Sequence, residues 1–122
     1  MNQKVVDLET RLIAFAARMV IVSANLPKTA AAKHFSDQLV RSGTAPALLY
    51  GEAQGAESRA DFVHKMKVAL KELKETFINL RIIRVCRWIP EEELAADIIE
   101  NNELISIFVS SIKTAVGKPT NA

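Results

Sequence analysis

Cysteine is nearly absent from this chain: the lone Cys86 has no partner for an internal disulfide, which fits a reducing compartment. Glycine and proline are scarce, four of each, while 49% of residues are hydrophobic and the net charge is only +2. Collagen-like, low-complexity and disordered chains are thereby excluded. No apolar run reaches the ~18 residues that a membrane span needs, and residues 1–12 carry charges where a secretory signal is apolar. A soluble, cytoplasmic protein is expected. Period-two alternation is missing too. Arg81 to Ile89 comes nearest to a strand, but its flanks read as helix. What is present is one domain of 122 residues without internal repeats, long enough to bury a core unaided by disulfide or metal.

Helical spacing dominates. Leu8, Leu12, Phe15, Met19 and Val22 recur at intervals of four and three, predicting a first helix from about Val5 to Asn25, ended by Leu26-Pro27. A second helix opens on the alanine run Ala30 to Ala32, continues through Phe35, Leu39, Val40, Ala47 and Leu48, and ends near Gly51 to Gly55. Gly43 and Pro46 fall inside it, and the proline removes the bond from its own nitrogen to the Ser42 carbonyl. A bend over Ser42 to Ala45 is expected there rather than a stop, because the apolar pattern resumes. Ser58, able to accept the amide of residue 61, starts a third helix of about Arg59 to Arg87. Its core face is Phe62, Met66, Ala69, Leu73, Thr76, Leu80 and Ile83. Pro90 with Glu91, Glu92 and Glu93 starts a fourth, whose predicted face is Leu94, Ile98, Asn101, Ile105, Phe108, Ile112 and Ala115. Lys113 and Gly117 close it, and Pro119 lies beyond. Four helices with short connections predict an all-α, antiparallel up-and-down four-helix bundle.

The near-neutral total conceals a dipolar chain. Residues 56–89 carry eight basic and four acidic side chains, +4, whereas residues 90–122 carry two and six, −4. Lys67, Lys71, Lys74 and Arg81 form one stripe of the third helix, with Arg84 and Arg87 at its end. Charge placement alone favours complementary solvated faces, within one bundle or between subunits. The sharper reading is a stripe that tracks phosphates. Val63, Leu70 and Phe77 lie off the main core stripe of the same helix, and a helix apolar on more than one side must bury more than one side. Tyr50 and Trp88, the aromatics with a polar edge, are expected to pack at the bundle ends rather than to form a stacking platform.

Reactive constellations are missing. A di-metal bundle needs paired Glu-x-x-His motifs and two further glutamates, but Asp61-x-x-His64 is the one near match and His34 follows Ala31 at that spacing. Both histidines are expected at the surface or boundary. No nucleophile elbow or Gly-rich phosphate loop occurs. Cys86 is expected to be packed and inert among Ile82, Ile83 and Val85, and Glu91 to Glu93 answer to the helix dipole. No catalytic residue, cofactor, metal or small-molecule substrate is therefore expected, and the chain reads as a non-enzyme. One polar cluster stands out: Gln38, Arg41, Ser42 and Thr44 flank the proline, and Glu52 follows. Arg41 can bridge to Glu52, or to a carboxylate of the third helix such as Glu75, and so fix helix register; ordinary surface polarity is the alternative.

Several motifs in fixed order carry a resemblance: Gln38 to Thr44, Tyr50, Glu52-Ala53-Gln54, Ala56 to Phe62, Ala69 to Thr76 and Ser111 to Ala115, with a weaker match at Arg11, Leu12 and Phe15. Together they resemble the four-helix-bundle proteins encoded in intervening sequences of bacterial large-subunit (23S) ribosomal RNA genes. The family pattern carries serine where Ala45 stands and asparagine where Leu49 stands. The resemblance implies an antiparallel bundle that assembles into a ring-like homopentamer, association with ribosomal RNA, and no enzymatic activity. Accessory proteins of diversity-generating retroelements, similar in fold and assembly, bind nucleic acid and a reverse transcriptase. On that implication Lys67, Lys71, Lys74, Arg81, Arg84 and Arg87 are the candidate phosphate contacts, and a protein-interaction scaffold without RNA is the alternative.

Overall fold

The computed structural model describes residues 2–117 as four helices with no strand among them: α1 (Gln3–Ala24), α2 (Ala30–Gln54), α3 (Arg59–Val85) and α4 (Glu91–Gly117). Pro119 lies outside the described residues. Side-chain caps explain three of the starts. Asn2 accepts from the Lys4 amide at 2.8 Å, Thr29 from Ala32 at 3.2 Å and Ser58 from Asp61 at 3.0 Å, each satisfying an amide that the first turn leaves unpaired. α2 runs unbroken through Pro46, and Thr44 turns its hydroxyl back to the Val40 carbonyl at 2.6 Å.

α3 ends differently. Arg87 adopts φ 57°, the left-handed region where glycine is usual. Its amide donates to Arg84 O at 3.0 Å and the Trp88 amide to Ile83 O at 3.3 Å, which closes the last turn. Trp88 then packs half-buried, its ring 5.8 Å from that of Phe35.

α1 packs on α2, α2 on α3 and α3 on α4, while the backbones of α1 and α4 make far less close contact. The α1 face is the predicted one: Leu8, Leu12, Phe15, Met19 and Val22 are all buried. So is that of α3 from Met66 to Ile83, with Phe62 half-buried at its start. On α4 the core face differs from the expectation. Asp97 and Leu104 are buried where Ile98 and Ile105 were predicted, and these two are half-buried, as is Ala115. An aspartate can occupy the core side because Arg18 of α1 clamps it with two parallel bonds, 3.0 and 2.8 Å. Arg11 reaches Glu100 and Glu103 on α4 in the same way, so arginines bridge the seam that backbone packing leaves widest.

Two polar contacts pass through the interior. The Ser42 and Thr76 hydroxyls, both buried, share a hydrogen bond of 2.9 Å across α2 and α3. Asn101, fully buried, donates from Nδ2 to Leu73 O at 3.1 Å, and its Oδ1 has no partner. At Gly43 the backbone of α2 lies tight against Met19 of α1. A Cβ placed there would meet Met19 Cγ at 2.5 Å and Met19 Cβ at 2.6 Å.

Candidate functional site

The largest concavity is an open groove between α2 and α3. His34, Gln38 and Arg41 line it from α2, and Lys67, Lys71, Lys74, Glu75 and Asn79 from α3. Its geometry follows from helical spacing: positions 67, 71 and 74 stack on one stripe of α3, and positions 34, 38 and 41 on the facing stripe of α2. Half of the sequence-predicted basic set therefore meets Gln38, Arg41 and Glu75 in one place, and His34 joins them.

Arg41 organises the α2 side. Its guanidinium donates to Glu75, to Glu72 at 2.7 Å and to Gln38 at 3.0 Å. The hydrogen bond it donates to Glu75, ahead of the Glu72 charge, holds Arg41 still more firmly protonated than usual. Glu72 is the more buried partner, and the two carboxylates exceed the charge of Arg41 by one. Lys67, Lys71 and Lys74 are exposed and have no acidic partner among the described residues. Three lysines stand within two helical turns, about 10 Å, and with Arg41 and its two carboxylates they give the groove a net charge of +2.

Other sequence expectations fall elsewhere. Glu52 does not reach Arg41: eleven residues further along α2 it is about 16 Å away, and it pairs instead with Lys65 at 3.6 Å. Ser42 turns into the core rather than into the groove. Arg81 lies over the Phe77 ring at 5.5 Å. Arg81 and Arg84 line a second, shallow depression with Ile78, Ile82, Val85 and Cys86. Cys86 itself is exposed, contrary to the packed thiol expected, because it caps the end of α3 beyond the last core residue, Ile83. Val63, Leu70 and Phe77 are half-buried, whereas Ile78 and Val85 of the same helix are exposed. His34 and His64 are both exposed, and no group of three or more metal-ligating side chains occurs among the described residues.

At the other end of the bundle Tyr50 lies 5% exposed, its ring 6.0 Å from that of Phe108. It lines a groove with Leu8, Phe62, Ser106 and Ser110. Burial first, then the charge of Glu9, pushes its hydroxyl above the ordinary 10.0. A pKa raised in the folded state means that the neutral phenol contributes stability fully below pH 10, and that this contribution is lost as pH rises through the folded value. Urea unfolding from pH 9 upward is therefore expected to show a steeper alkaline loss for the parent than for Tyr50→Phe. Equal losses in the two proteins refute this.

The model of the 23S rRNA-intervening sequence protein family matches residues 6–110. Among solved structures, the chain is similar to a protein of unknown function from the S23 ribosomal protein family of Bacteroides thetaiotaomicron VPI-5482, at 30% identity and a TM-score of 0.82, over 91% of this chain and 99% of that one. No curated protein matches. No helix among the described residues is long and apolar enough to cross a membrane.

Proposed function

Because the chain belongs to the 23S rRNA-intervening sequence protein family, we propose that it is a non-catalytic, cytoplasmic, self-associating bundle that holds ribosomal RNA or another nucleic acid by its phosphates. The observation that carries the reading is the α2–α3 groove, where Lys67, Lys71 and Lys74 stand exposed and unpaired while Arg41 is already held by two carboxylates. Lysines of this kind bind by releasing counterions, with log K falling by about 0.9 per phosphate neutralised for each decade of salt. Replacing all three by glutamate is expected to weaken binding of a ribosomal RNA fragment by more than about tenfold at 0.1 M salt and to flatten the salt slope by roughly 2.7. Parent affinity that ignores salt, or a triple variant that binds as the parent does, rejects the reading.

Self-association rests on a separate observation. Ser36 donates to Ser23 O at 3.2 Å, and this bond with the Met19–Gly43 approach sets the α1–α2 register. That register puts Val20 level with Val40 and Ile13 level with Leu48. Ile13 is 57% exposed, Val20 46% and Leu48 68%, and the intervening Ala17 and Thr44 carry no charge. The alanines Ala14 and Ala17 of α1 are exposed as well, which extends the apolar face along that helix. It is aliphatic, without the aromatic and arginine anchors of transient contacts, and so resembles a core divided between two copies of the chain. The family resemblance implies five copies. Val20→Glu with Leu48→Glu is expected to lower the native mass to that of a monomer. A parent already monomeric at micromolar concentration, or a double variant of parental mass, removes this part.

A further inference from the structure

We infer that the groove takes double-helical RNA, gripped along its sugar–phosphate backbone without readout of bases; the inference rests on the proposed nucleic-acid function and narrows it.

Bases splayed from a single strand need aromatic faces on which to stack, and each such contact is a main source of single-strand affinity. All seven aromatic side chains lie among the described residues, and none is exposed. Phe15, Tyr50 and Phe108 are buried, Phe35, Phe62 and Trp88 are half-buried against the core, and the half-buried Phe77 lies under Arg81. The surface that holds the cations therefore offers charge, hydrogen bonds and a single exposed ring, the imidazole of His34, where a strand held by its bases needs a succession of stacking faces.

Rigidity points the same way. From Lys67 to Arg81 the cations ride one unbroken helix over a span of about 21 Å. A duplex presents its phosphates as a stiff, dense array, whereas a single strand must be ordered to follow a straight stripe and carries fewer condensed counterions to release. The five side chains Lys67, Lys71, Lys74, Arg81 and Arg84 correspond to a salt slope of about −4.5 on a duplex and about −3.5 on a strand.

Preference for RNA over DNA follows from the neutral part of the lining. Asn79 and Gln38 stand among the lysines. The Gln38 carbonyl is occupied by Arg41, which leaves its NH₂ free to donate, and the Asn79 amide has no hydrogen bond within the described residues. A 2′-hydroxyl both donates and accepts, so it can pair with either amide, and DNA has none to offer.

Fluorescence anisotropy of the full chain with a 20-base-pair RNA duplex, one of its strands alone, and the DNA duplex of the same sequence tests this at 0.05 to 0.2 M salt. The RNA duplex is expected to bind at least about tenfold more tightly than the strand, with a slope between −4 and −5. It is also expected to bind several-fold more tightly than DNA, and Asn79→Ala to narrow that margin with the bundle still folded by circular dichroism. A strand that binds as well as the duplex, or DNA that equals RNA, overturns the inference while leaving a nucleic-acid function in place if Lys67→Glu, Lys71→Glu and Lys74→Glu together abolish binding. If none of the three probes binds, the inference and the function beneath it fall together.

Discussion

Gly43→Val is expected to destabilise the bundle by roughly 3 kcal/mol or more, and Gly43→Ala by about 2 kcal/mol. Helix propensity argues the reverse, since alanine in a helix interior is worth about 1 kcal/mol over glycine. The tertiary contact wins because the obstacle is Met19, itself wholly buried, and the atoms in the way are its Cβ and Cγ rather than the far end of its side chain. Rotating the methionine cannot clear its own Cβ, so α1 and α2 must move apart, and the well-packed Phe15, Leu39 and Val22 would lose contact as they do. Urea unfolding of the two variants measures the cost. Pairing Gly43→Ala with Met19→Gly, which removes both obstructing atoms, should recover more than 1 kcal/mol of the sum of the single effects, since residues in contact do not add. A Gly43→Ala protein as stable as its parent would show that Met19 leaves room for a Cβ at this position.

Asn101→Asp should be the more severe change, about 3 to 5 kcal/mol at pH 7. The asparagine donates to Leu73 O and leaves its own Oδ1 unpartnered in a fully buried setting. A carboxylate there loses the donor and adds a charge that no cation faces. Its protonated form can still donate to Leu73 O, so burial raises the folded pKa of the new acid above its unfolded value near 4. Stability of the variant is consequently greatest below pH 4 and is lost as pH rises through the folded pKa. The difference between variant and parent, followed from pH 4 to pH 7, should therefore widen with pH. A pH-independent difference would place water or an undetected donor beside residue 101.

The groove became visible only when two readings of the sequence were brought together by the fold. The spacing of Lys67, Lys71 and Lys74 is a property of one helix and could be read directly, as could the polar character of Gln38 and Arg41. That these two sets face each other depends on α2 and α3 being neighbours in one register. The same register decides between the two partners open to Arg41: Glu75 lies across the seam, whereas Glu52 is three turns away on its own helix. His34 and Asn79 gave no signal, because a lone histidine and a lone asparagine on helix surfaces acquire meaning only from what stands opposite.

Local chemistry, then, determined the elements. Caps at Thr29 and Ser58, the Pro90 start and the three-four spacing of apolar residues fix four helices and the buried faces of α1 and α3, since those forces act within a few residues of the chain. Pairwise choices between distant segments belonged to the tertiary structure. It selected Asp97 and Leu104 for the core over Ile98 and Ile105, because an arginine on α1 stood ready to clamp the aspartate. It also gave Gly43 a neighbour that the sequence did not name, because a glycine's missing side chain is informative only once the atom that fills the space, here Met19, is known.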